Sequence, residues 1–262
     1  MEDDFVVDFG FDYGTTSITV AFNVCGSEET HLLQFQSQSA AKDSNELPAT
    51  VVWCRNRWHY GPDATHEPGA VVFTDVKSGI NGRTPFTEQM WRAFNKVNSH
   101  TGVRESPVSL LTNLLQYILN HLEKEIREHP KYCTLLGDRS FSCESVKKRC
   151  WVTYPVRQSD SLHLTLVQAA RAAGCEVHGV SESVAAAYYG VLKDKVKLRA
   201  SSTILIADVG GSTTDVATVC VDYVDGSRRI KMACATDGKP LSSCVNASLT
   251  FSRGFQWRSV SQ

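Results

Sequence analysis

Two stretches decide the reading: Phe11-Asp12-Tyr13-Gly14-Thr15-Thr16-Ser17, continued by Ile18-Thr19-Val20-Ala21, and Ala207-Asp208-Val209-Gly210-Gly211-Ser212-Thr213-Thr214-Asp215, continued by Val216-Ala217. In each, an apolar strand ends in aspartate, turns through glycine and hydroxyl residues, and returns as a second strand. A single Asp-x-Gly turn is a common hairpin signal. Two copies far apart in one chain are an internal repeat and point to a shared purpose. Glycine lets the backbone approach a phosphate closely, and the N–H groups of a tight turn can converge on its oxygens. Serine and threonine add neutral donors, while an aspartate at a strand end offers a hard oxygen to Mg²⁺, directly or through water. Two such turns facing one another predict a grip on a polyphosphate from both sides, with the metal between.

The segments around the repeat alternate strand and helix signals. Phe5 to Val24 reads as a hairpin about Tyr13-Gly14-Thr15-Thr16, and His31 to Phe35 and Val51 to Cys54 as further strands. Glycine, proline and asparagine between Gly61 and Pro85 predict irregular loops with short elements. Ser106 is a good N-cap and Pro107 suits the first helical position. Val108, Leu111, Leu115, Ile118, Leu122 and Ile126 then mark one face of a helix that Pro130 ends. Cys150 to Tyr154 reads as a buried strand and Ser159 to Ala173 as a helix stopped by Gly174. A strand at Glu176 to Val180 leads into an alanine-rich helix beginning near Glu182. Thr203 to Ala207 reads as a central strand, with Val216 to Tyr223 and Arg229 to Ala235 as antiparallel neighbours joined through Asp225-Gly226. The fold class is therefore α/β, a mixed sheet flanked by helices.

Composition narrows the function. With 262 residues, 42% hydrophobic and 21% charged, the chain has the balance of an ordinary globular protein and enough length for a large domain or two lobes. A net charge of -1 supplies no electrostatic reason to expect nucleic acid or an acidic membrane as partner. The acidic start, Met1-Glu2-Asp3-Asp4-Phe5, lacks the features of a signal peptide, and no apolar run is long enough to span a membrane. The nine cysteines are scattered without a CxxC pair, which predicts reduced thiols in a cytoplasmic protein.

The paired turns resemble the two phosphate motifs of the actin, sugar-kinase and heat-shock-70 ATPase superfamily, and the heat-shock-70 branch fits best. Asp208 to Asp215 looks like that branch's second phosphate loop. Glu182-Ser183-Val184-Ala185-Ala186-Ala187-Tyr188-Tyr189-Gly190 is similar to its helix connecting two lobes, and Val152-Thr153-Tyr154-Pro155 resembles the strand before that unit. The order and approximate spacing of these segments agree with the family from near residue 5 to about residue 235. The Gly238 to Asn246 stretch is similar to divergent cytosolic members without a peptide-binding domain.

The resemblance implies a ribonuclease-H-like ATPase fold that binds ATP or ADP with Mg²⁺. By it, Asp12 and Asp208 are the metal-linked aspartates, Gly14, Thr15 and Thr16 contact phosphate, and Gly210, Gly211, Ser212 and Thr213 surround the β- and γ-phosphates. Asp8 offers a competing Asp-x-Gly register, but only Asp12 is followed by Thr-Thr. Lys77, in Phe73-Thr74-Asp75-Val76-Lys77, matches a lysine near the γ-phosphate and attacking water. Glu182 matches an acidic residue that orients water, and Asp215 supports the loop or the metal's water shell. If the site is catalytic, Lys77, Glu182 and Asp208 position water for attack on the γ-phosphorus. Co-chaperones or client proteins are the implied partners.

The family's later glycine-rich adenosine segment has no counterpart after Ala235. The expected layout is lobe I over residues 1–195 and an incomplete start of lobe II over 196–262, from a truncated product or a degenerate family member. Two alternatives follow: a non-catalytic truncated or pseudo-ATPase interaction module, and a sugar kinase of the same superfamily.

Overall fold

A computed structural model describes residues 6–24, 29–35, 44–61, 64, 68–82, 84–102, 104–130, 132, 146–155, 160–192, 202–209, 213–224, 227–235 and 239–240. In chain order these form β1 (Val6–Tyr13), β2 (Ser17–Val24), β3 (His31–Leu32), β4 (Glu46–Pro48), β5 (Val51–Cys54), β6 (Arg57–His59) and β7 (Val71–Phe73). Three helices follow, α1 (Val76–Ile80), α2 (Phe86–Thr101) and α3 (Pro107–Glu128). Then come β8 (Lys147–Tyr154), α4 (Asp160–Ala172), β9 (Glu176–Ser181) and α5 (Glu182–Leu192). The last strands are β10 (Ser202–Val209), β11 (Thr213–Val224), β12 (Ser227–Ala235) and β13 (Lys239–Pro240).

The architecture is α/β, with a mixed sheet flanked by helices. Strict alternation builds its centre: Val7, Phe9, Phe11 and Tyr13 of β1, with Ile18, Val20, Phe22 and Val24 of β2, all point into one apolar cluster. The strand order is β3-β2-β1-β8-β9, and β4 also pairs with β2. Pairs β1–β2 and β2–β3 are antiparallel, whereas β1–β8 and β8–β9 are parallel. The parallel pairs need crossovers, and α4 makes the one from β8 to β9.

Helix α3 supplies the largest share of the core. Ser106 Oγ accepts a hydrogen bond from the Ser109 N–H at 3.2 Å, and Ser109 Oγ accepts one from the Ser106 N–H at 2.8 Å. This reciprocal cap satisfies donors that the helix cannot satisfy itself. The buried stripe is wider than the sequence pattern suggested. Leu110, Leu114 and Leu119 are buried with Leu111, Leu115, Ile118, Leu122 and Ile126, while Val108 is only half-buried. Each leucine so buried stabilises the fold by about 1.5–3 kcal/mol. Helix α4 ends as expected at Gly174, whose φ of 81° is left-handed. The Cys175 N–H bonds to Ala170 O and the Gly174 N–H to Arg171 O, the two bonds of a Schellman stop.

The expected strand Val51–Cys54 is the centre of a small third sheet, β6-β5-β7, whose β7 is a short element of the region read as irregular, and α2 behind it was not anticipated. Its buried positions, Met90, Phe94 and Val97, form a narrow stripe in a mostly polar segment. Phe94 packs on Phe73 at 4.8 Å between ring centroids, and Phe73 packs on Trp58 at 5.2 Å. This aromatic stack anchors β7, and β7 leads directly into α1.

The second main sheet has the order β10-β11-β12, with β13 paired to β11. Helix α5 begins where β9 ends and touches strands of both main sheets. Its Val184 and Ala187 pack with Ile204, Ile206, Val219 and Val221 of the second sheet. Residues 210–212, 225–226 and 241–262 lie outside the described residues, as do Ser159 and the expected 195/196 boundary. No described helix is long and apolar enough to cross a membrane.

Candidate functional site

The two repeated units share a backbone register. In the first, Tyr13 pairs with Ile18 and Asp12 with Thr19; in the second, Val209 pairs with Thr214 and Asp208 with Asp215. Each aspartate thus sits one residue before a turn of the same length. Gly14 is required by contact: a Cβ there would lie 2.4 Å from the Ser17 carbonyl oxygen. Thr15 and Thr16 complete the turn, and the Thr16 carbonyl accepts a hydrogen bond from the Ala49 N–H at 3.0 Å. Gly210, Gly211 and Ser212 fall outside the described residues, and Thr213 is the first residue of β11.

Side-chain partners separate the two candidate aspartates of β1. Asp8 is taken up by the Arg149 guanidinium and by the Trp151 indole N–H, the latter at 3.3 Å. Asp12, beside the turn, is exposed and accepts a threonine hydroxyl, Thr153 Oγ1 to Asp12 Oδ1 at 2.9 Å.

Lys77 and Glu182 meet although far apart in sequence. Helix α1 carries Lys77 and α5 opens with Glu182, and Lys77 Nζ donates to Glu182 Oε1 at 2.9 Å. The two side chains are only 13% and 14% exposed. Burial holds the Glu182 carboxyl above its ordinary range; the Lys77 ammonium opposes that shift, and the charges of Asp12 and Asp208 add to it. Asp208 is likewise raised, first by burial and then by Asp12, with Lys77 opposing. These influences place Asp12 and Asp208 within electrostatic reach of the Lys77–Glu182 pair. Asp215 is buried at 6% exposure, directly across the ladder from Asp208.

Three carboxylates against one lysine leave an excess negative charge that a divalent cation would neutralise. Among the described residues, no group of three or more His, Cys, Asp or Glu side chains is close enough to ligate one ion directly. Asp12 and Asp208 are the described residues that could hold a hydrated cation.

The chain matches no protein-family model, and no curated protein matches it.

Sequence reasoning brought forward Asp12, Lys77, Glu182 and Asp208, which the structure draws together. It missed Thr153, whose hydroxyl fixes Asp12; the signal was a hydroxyl residue aligned with Asp12 on the neighbouring strand. It also gave no role to Asp75, which precedes α1 in a left-handed conformation with φ 51°.

Proposed function

We propose that this protein binds Mg-ATP between its two Asp-x-Gly turns, and that it is a divergent ATPase of the actin and heat-shock-70 type with a chaperone-like role. The observation that carries this reading is the convergence of Asp12, Lys77, Glu182 and Asp208, from four separate segments, into one charged cluster. The common register of the two turns supports it, as does the strand order β3-β2-β1-β8-β9 with its antiparallel first hairpin.

Asp12 and Asp208, each ending a strand beside a glycine turn, are the residues that would hold the hydrated Mg²⁺. The bound ion would supply charge neutralisation at the phosphates. The first turn brings backbone N–H groups and the Thr15 and Thr16 hydroxyls to one side of the polyphosphate. The second turn, residues 210–212, lies outside the described residues; by its sequence it would offer the same donors. Lys77 provides a positive charge for the γ-phosphate, and its pairing with Glu182 holds the ammonium in place until a phosphate competes for it. Glu182, with its carboxyl raised by burial, is suited to accept a hydrogen bond from the attacking water and orient it.

Phosphate release from Mg-ATP by the purified chain tests the catalytic part of the reading. Turnover by the native chain should fall about a hundredfold in Lys77→Ala, the scale expected when one charge-stabilising group is removed. Equal release by both would exclude this site as the catalytic one.

A further inference from the structure

Strand β3 is an edge of the main sheet, and its His31 pairs with Phe22, toward the open end of the β1–β2 hairpin and away from the Asp12 turn. Between β3 and the last turn of α3 lies a cavity of about 440 Å³, a size that suits a small organic molecule. Helix α3 ends there. The His129 N–H bonds to the Glu125 carbonyl at 3.0 Å, and the chain then turns so that the Tyr132 N–H bonds to the His129 carbonyl at 3.0 Å. That turn tucks Tyr132 under as the floor, 1% exposed, with its ring 5.2 Å from His31, edge to face, and 4.8 Å from His129. Leu32, 49% exposed, gives the cavity one apolar side.

The charge around this cavity has one sign. Glu125 lines it, half-buried and without a salt bridge among the described residues, and none of the described lining residues is a lysine or arginine. Arg127, the cation of the last turn, is paired with Glu123 at 2.5 Å. Glu29 adds a second carboxylate, 3.7 Å from His31 Nε2. Both acids bear on the Tyr132 phenol, which is pushed up to about 12 by burial first, then by Glu125 and Glu29. The aligned peptide dipoles of α3 place partial negative charge at this same end. Among the described residues no three His, Cys, Asp or Glu side chains gather closely enough to ligate a metal ion, so the cation this cavity suits is an organic one.

We propose that this cavity binds a primary ammonium group carried on a short carbon chain, with the ammonium paired to Glu125 at the C-terminal end of α3 and the chain lying along Leu32. A free alkylamine and a lysine side chain of a partner protein offer the same chemistry. The site stands apart from the two Asp-x-Gly turns and does not depend on the nucleotide reading.

Titration of the full chain with cadaverine, followed through the imidazole NMR signals of His31 and His129, tests the proposal. Both signals should shift and saturate, with half-saturation at or below about 1 mM. Pentanol, which has the same carbon chain without the charge, should leave them in place. Glu125→Gln keeps the side chain's shape and should weaken binding about tenfold or more, as loss of a charge-assisted hydrogen bond predicts. Leu32→Lys sets a like charge at an exposed position beside the cavity and should also weaken it, so the proposal stays testable if Glu125→Gln fails to fold. Nα-acetyl-lysine methylamide separates the two sources. Half-saturation close to that of cadaverine assigns the site to a lysine side chain of a partner; binding of cadaverine alone assigns it to a free amine. No saturable shift with either amine, equal shifts with pentanol, or unchanged affinity in the folded variants would overturn the proposal.

Discussion

Replacing Lys77 with methionine should destabilise the protein in a pH-dependent way, because it strands a buried carboxylate. The Lys77–Glu182 contact is 2.9 Å, so with an effective dielectric near 20 its gross attraction is about 5 to 6 kcal/mol. Desolvation of the two groups offsets much of that, and deleting one partner of a buried pair typically costs about 3–5 kcal/mol. Here Glu182 has a second way out. Its carboxyl is already raised, and without Lys77 it stands near Asp12 and Asp208 unopposed, so it takes up a proton. That escape limits the expected loss at pH 7.5 to about 2–3 kcal/mol, or roughly 5–10 °C in Tm for a chain of this size. At pH 5, nearer the ordinary carboxyl range, protonation is easier and the loss should be smaller. Urea unfolding followed by tryptophan fluorescence at both pH values measures it, and Lys77→Met/Glu182→Gln should recover most of the stability. An equal loss at both pH values, or no recovery in the double variant, would refute the reasoning.

Two further outcomes follow from the same geometry. Glu182 and Asp208 have raised carboxyls in the folded chain, so their favourable contribution is complete below the ordinary 4.5 and 3.8 and is lost as pH rises through the higher folded values. Thermal melts should thus show a stability decline as pH rises above those ordinary values, and Glu182→Gln should reduce it; a Glu182→Gln profile identical to the native one would contradict the assignment. Gly14→Ala forces a methyl against the Ser17 carbonyl 2.4 Å away, so it should destabilise by about 1–3 kcal/mol and weaken nucleotide binding, both visible in a thermal-shift titration.

Much of this site was legible in the sequence because the repeat is local. A strand, an aspartate, a glycine turn and a returning strand are written within a dozen residues, and alternation in β1 and β2 states which face is buried. Glu182 and Gly174 were readable for the same reason, one opening a helix and the other closing one. The contacts that cross the fold were not. Nothing near Asp12 in sequence announces Thr153, because their meeting depends on the parallel pairing of β1 with β8. Of the small sheet only β5 was legible; β6, the pairing of the sheet and α2 were missed because their apolar residues only make sense together: Trp58, Phe73 and Phe94 come from three separate elements. The choice of Asp12 over Asp8 rested on the following Thr-Thr pair. The structure adds a separate reason, since Asp8 is already occupied by Arg149 and Trp151.

Isothermal titration of the purified chain with Mg-ATP, alongside Asp208→Asn, tests the central claim most directly. The account expects micromolar binding that needs Mg²⁺ and is weakened at least about a hundredfold in the variant, roughly the 2.7 kcal/mol scale of losing a metal-linked charge. The variant itself should melt no lower than the native chain, since it removes a half-buried negative charge that stands near Asp12. Tight binding unchanged in Asp208→Asn, or no binding by a native chain shown to be folded, would contradict the claim that these two turns form a nucleotide site.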